Sequence, residues 1–180
     1  MPSTELRTSL ASRIQMGYVR ELCNLCVSDP NLTGTLYELT SDTQKRVAVN
    51  ALWVLTHVNL GDAKQLLVKH DDLIDKALAE NIESKLRMEL QILLTQPFDK
   101  ETIRPEFIDF CLENMVNQGQ PYAIRALCMK LAYEQMAHYP EMLCELRNML
   151  EMLSGEELSP GLMSAWKRTM TLIEKKLKAI

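Results

Sequence analysis

The sequence predicts an all-α protein of stacked helical hairpins, and three observations carry that prediction. One apolar phrase recurs four times: Val49-Asn50-Ala51-Leu52-Trp53, Met88-Glu89-Leu90-Gln91-Ile92, Ile124-Arg125-Ala126-Leu127-Cys128 and Met163-Ser164-Ala165-Trp166-Lys167. Aligned on Ala51, Leu90, Ala126 and Ala165, the copies stand 39, 36 and 39 residues apart, a period at which each unit needs a neighbour to bury its apolar face. Gly and Pro are scarce, 6 and 7 in 180 residues, and mostly punctuate the apolar segments. Finally, 11 Met and few β-branched runs favour helix, and no segment reads as a strand.

The elements follow in order. Leu6, Leu10, Ile14, Tyr18, Leu22 and Leu25 keep close to a helical period, predicting one helix over about 4–27. Ser28-Asp29-Pro30-Asn31 breaks it, and a short helix over 32–39 follows. Ser41-Asp42 offers an N-cap for an apolar helix over 43–58. Asn59-Leu60-Gly61-Asp62 reads as a turn, with Asp62 capping a helix to about Glu80. The helix over 82–96 stops at Pro97, and Asp99 caps the next, over 101–117. At Gly119-Gln120-Pro121, and from Ser154-Gly155 to Ser159-Pro160, Gly closes one helix in left-handed geometry and Pro opens the next. Tyr139-Pro140 separates helices over 122–138 and 141–153, and the last runs from about 161 to 178.

These segments pair as A and B helices, the B helices starting near Thr43, Ile82, Pro121 and Pro160. Arg46-Val47-Ala48-Val49-Asn50-Ala51-Leu52-Trp53-Val54-Leu55 and Tyr122-Ala123-Ile124-Arg125-Ala126-Leu127-Cys128-Met129-Lys130-Leu131 carry a resemblance to the HEAT/armadillo type of repeat. The resemblance implies a right-handed α-α superhelix of about four HEAT-like hairpins. It implies a single domain over 1–180, with 1–40 as an N-terminal capping segment and 41–180 as repeats. The chain looks like a short stand-alone bacterial member, distantly similar to the HEAT-like DNA alkylation repair family.

Each B helix also carries a second stripe, at positions five before, one before, two after and six after its anchor. The stripes are Arg46, Asn50, Trp53 and His57; Lys85, Glu89, Ile92 and Gln96; Pro121, Arg125, Cys128 and Ala132; and Pro160, Ser164, Lys167 and Thr171. Arg46, Lys85, Arg125 and Lys167 thus form a basic ladder. In superhelices of this kind the B helices line the concave surface, so the resemblance implies a mildly basic groove containing Trp53. The expected binding residues are Arg46, Asn50, Trp53, His57, Lys85, Glu89, Gln96, Arg125, Lys167 and Thr171. Long basic side chains that merely solvate a helix would look the same in sequence.

Charge and motifs bound the function. The net charge of −4 imposes no field that demands nucleic acid or an anionic membrane. Its distribution is uneven: Lys167, Arg168, Lys175, Lys176 and Lys178 against Glu174 give the last 20 residues +4, leaving −8 on the preceding 160. No secretory signal or run of about 18 apolar residues is visible, and five Cys, an odd number, suit reduced thiols in a cytoplasmic protein. Cys23-Asn24-Leu25-Cys26 lacks both the strand–helix context of a redox motif and the second ligand pair of a zinc site. Leu22, Leu25 and Cys26 read instead as one apolar face. Glu134 with His138, and His70-Asp71-Asp72 with Asp75, could place ligands or carboxylates together; the first lacks a further ligand and the second a pocket. Phosphate-cradling and nucleophile-elbow motifs are missing from the sequence. The expectation is a non-catalytic scaffold, without cofactor or metal, that holds a protein or peptide along its B-helix face. Nucleic-acid binding of the DNA-repair type is the alternative, disfavoured by the net charge.

Overall fold

The computed structural model describes residues 3–58, 69–155 and 157–179. Among them lie ten α-helices and no strand. The expected turn at Asn59-Leu60-Gly61-Asp62, with its Asp62 cap, lies outside the described residues. The chain divides into two compact units, Met1–Gln96 and Pro97–Ile180.

The first unit holds α1 (Ser3–Leu10), α2 (Met16–Ser28), α3 (Pro30–Leu39), α4 (Lys45–Leu55), α5 (His70–Ala79) and α6 (Glu83–Leu93). The single helix expected over 4–27 is two, α1 and α2, separated by residues 11–15. Asn50 explains the break: its Nδ2 donates to Leu10 O at 2.8 Å and Ser12 O at 3.0 Å, satisfying carbonyls where α1 ends. A long-range bond of this kind leaves no mark in local periodicity. The α2–α3 break stands as expected, with Asp29 accepting from Asn31 N–H and Pro30 in the first turn of α3. Helix α4 starts later than expected, because Asp42 accepts from Gln44 N–H at 2.8 Å and also holds Arg7 through two side-chain bonds. The core is aliphatic, with Leu6, Leu10, Leu22, Leu36, Leu52, Leu73 and Leu90 all essentially buried. Helix α4 is its hub, touching α1, α2, α3 and α6.

The second unit holds a short 3-10 turn (Lys100–Thr102), then α7 (Pro105–Val116), α8 (Tyr122–Met136), α9 (Pro140–Leu153) and α10 (Pro160–Lys178). Asp99 caps the 3-10 turn rather than a long helix, and α7 begins only at Pro105. Pro fits a first turn but disfavours helical geometry in the residue before it. Gly119 and Gly155 do not take the left-handed geometry expected of them. Instead Asn117 Oδ1 accepts from Gly119 N–H at 2.9 Å, an Asx turn that closes α7. Ser159 accepts from Leu162 N–H and caps α10. Helix α8 is central, packing against α7, α9 and α10. The stacked rings of Phe98, Phe107 and Phe110 fill one side of this core.

No described helix is long and apolar enough to cross a membrane.

Candidate functional site

The four stripes meet different fates, and packing geometry decides each one. On α4, Arg46 and His57 are exposed and Trp53 is half-buried. The His57 ring stands edge-on to Trp53 (centroids 6.3 Å, interplanar angle 79°), with His57 Nδ1 2.9 Å from Trp53 O. Asn50, expected on this surface, is instead buried beneath the α1–α2 turn. That turn forms a depression of about 410 Å³, lined by Ser9, Ser12, Arg13, Ile14, Gln15, Gly17 and Tyr18. Arg46 and Trp53 therefore flank a helix position that holds a concave turn in place.

On α6 the stripe does not face an open groove. Lys85 pairs with Glu80 at 2.5 Å, and Gln96 Oε1 lies 2.7 Å from His70 Nδ1. Glu89, between them, is 1% exposed, and its Oε2 has no hydrogen-bond partner. Burial pushes the Glu89 carboxyl up to about 7; Glu80 adds to the shift, while Lys85 and Lys76 oppose it. The stripe is thus the polar seam between α6 and its own A helix, α5. Burial works against the Glu80 charge, but bonds from Lys85 and from backbone N–H groups outweigh it and hold Glu80 below the usual carboxylate range. Tyr37 donates to Asp72, and Lys76 lies over the Tyr37 ring at 3.9 Å while reaching Asp72 at 3.6 Å. Burial, reinforced by Asp72, raises the Tyr37 hydroxyl, whereas the Tyr37 bond lowers Asp72.

On α8 the third stripe lies within the core. Arg125 is 2% exposed and its Nε donates to Met115 O at 3.0 Å, while Cys128 and Ala132 are fully buried. The anchor Ala126 is only half-buried. The expected outward position of Arg125 is thus corrected, because α8 is wedged between α7, α9 and α10 and has little face left for solvent.

On α10 the expected surface is open. Lys167, Ser164 and Thr171 are exposed, and with Pro160, Met163, Arg168 and Leu172 they line a depression of about 690 Å³. Thr171 Oγ1 donates back to the Lys167 backbone carbonyl at 2.9 Å, within its own helix.

The other candidates resolve into packing. Cys26 is buried, and Cys23 Sγ lies 3.6 Å from Val54 O with its thiol pushed up to about 11 by burial, far from the thiolate a reactive pair needs. Leu25 departs from the expected apolar face, at 41% exposed. His138 Nε2 lies 2.9 Å from Phe98 O, and the cluster at 70–75 is divided among Gln96, Tyr37 and Lys76. Sequence reasoning missed Tyr37 and Lys76, whose roles arise only when α3 and α5 meet, and Met152, a lone exposed apolar residue in a charged helix.

A family model described as HEAT repeat domain matches residues 6–173. No curated protein and no solved structure matches the chain significantly.

Proposed function

We propose, from the premise that this chain belongs to the HEAT repeat family, that it is a cytoplasmic, non-catalytic scaffold that binds a protein or peptide partner on α4. The observation that carries this reading is the Arg46–Trp53–His57 surface. Trp and Arg are the side chains most often found where interfaces concentrate their energy, because a large ring and a planar cation each gain strongly on desolvation. Here the ring is half-buried, held edge-on by His57, and lies on the helix that fixes the α1–α2 depression. Arg13 and Gln15, both exposed on that turn, would meet polar groups of the ligand.

A partner captured by the whole chain provides the test. Trp53→Ala should weaken its binding by about 2 kcal/mol or more, with Arg46→Glu next, while far-UV circular dichroism stays unchanged. Normal binding by both variants would remove α4 as the contact surface. A salt titration with duplex DNA separates the rival reading. Phosphate recognition requires binding at low salt that falls steeply as salt is added. With Arg125 buried and Lys85 paired to Glu80, the basic ladder is shorter than that reading needs.

A further inference from the structure

Helix α10 turns one face into the core of the second unit and leaves the other exposed. Leu162, Ala165, Thr169 and Ile173 are buried and fall within one arc of the helix. Advancing about 100° per residue places Ser164, Lys167, Thr171, Lys175 and Lys178 on the far side, and all five are exposed. Arg168, also exposed, borders that stripe.

The cations here fall into two classes. Lys175 and Lys178 occupy the last turn, where the carbonyl end of the helix dipole favours positive charge, so local electrostatics accounts for them. Lys167 and Arg168 sit in the middle of the helix, outside that influence. Neither forms an ion pair among the described residues, although the chain has 24 acidic against 20 basic residues and pairs Arg7, Lys76 and Lys85 with carboxylates. Both line the open depression of about 690 Å³ that runs from Pro160 to Leu172. No carboxylate lines it, and half-buried Met163 and Leu172 give it an apolar flank on each side.

We propose that this face docks an acidic amphipathic helix of a protein partner, laid along α10. Its carboxylates meet Lys167 and Arg168, and its apolar side chains cover Met163 and Leu172. Charge complementarity selects the occupant: two neighbouring cations without a carboxylate beside them favour an anion, and the apolar flanks favour one that also carries hydrocarbon. A row of phosphates meets the first requirement but not the second, and the net charge of −4 opposes a long polyanion. An anionic bilayer is disfavoured as well, because the main apolar face of α10 is already buried in the core and offers no wedge to insert. The docking mode is a helix laid against a helical surface, with the cations fixing its position. This surface lies in the second unit and is independent of the reading of Trp53 on α4.

A capped peptide of about 15 residues, with Leu on one helical face flanked by Glu, is the probe. Fluorescence anisotropy with the full chain should show binding at about 50 mM salt that weakens about tenfold or more at about 500 mM. Gln in place of every Glu, or Ser in place of every Leu, should each weaken it about tenfold or more. Lys167→Glu with Arg168→Glu should lose the acidic peptide and gain its counterpart with Lys in place of Glu, a reversal that an unfolded variant cannot produce. Trp53→Ala should leave the acidic peptide bound as before, which separates this surface from the one on α4. Absence of binding at low salt, indifference to the double variant or to loss of the leucines, or loss of binding on Trp53→Ala would each overturn the proposal. So would tighter binding, through the same two residues, of duplex DNA or of vesicles of phosphatidylcholine and phosphatidylserine.

Discussion

Two hairpins, α5–α6 and α7–α8, each bury a charged-type side chain from the stripe expected to face a groove, and they do so differently. In α7–α8 the Arg125 guanidinium reaches the carbonyl of Met115, near the end of α7, where the last helical carbonyls need donors. In α5–α6 the Glu89 carboxyl is equally buried, yet one oxygen has no partner. The lysines nearest to it are engaged elsewhere, Lys85 with Glu80 and Lys76 with Asp72, Thr40 and the Tyr37 ring. A buried polar group that finds a partner anchors its helix. One that does not find a partner moves its protonation equilibrium instead, since holding a proton costs less than holding an unpaired charge.

The sharpest way to break this contrast is Arg125→Ala. It should cost about 2–3 kcal/mol, from the stranded Met115 carbonyl and the lost packing of the aliphatic stem, read as a lower denaturant midpoint with little change in slope. A loss below about 0.5 kcal/mol would mean that the bond is replaced at no cost and that the two seams are equivalent.

Glu89→Gln comes next and is read through pH. The folded value of about 7 lies above the ordinary 4.5, so the fold favours the protonated carboxyl. Its contribution is present in full below about 4.5 and is lost as pH rises through about 7. Between those limits the wild-type chain should lose about 3 kcal/mol relative to Glu89→Gln, and the two unfolding curves should run parallel below and above them. Parallel curves across the whole range would show that Glu89 is as well satisfied as Arg125.

The smallest expected effect is at Lys85→Met, which releases Glu80 from a mostly buried pair. Stability at neutral pH should fall by about 1 kcal/mol, and the pH window assigned to Glu89 should move upward as a nearby cation is lost. A window that stays in place would mean that Lys85 does not act on the Glu89 equilibrium.

The four stripes show how far a sequence can be read for a binding face. A fixed offset from an anchor gives the angle around a helix, but not the rotation at which the helix docks. Ala51, Leu90 and Ala165 are buried as the apolar grammar requires, whereas Ala126 is half-buried because α8 turns its neighbouring positions into a three-sided contact. The same offset therefore leads to solvent at Lys167, to a seam at Glu89 and to the core at Arg125. The α1–α2 break was similarly hidden, because its cause, Asn50, lies some forty residues away along the chain.

By itself the sequence determined the helical class, the repeat period and family character, most helix boundaries and the apolar faces. These follow from short-range spacing, and one amphipathic period is enough to specify them. The tertiary structure alone decided which polar residues face water. That choice depends on how many neighbours a helix acquires and at what rotation, and a polar side chain is buried wherever the partner it meets repays its lost hydration.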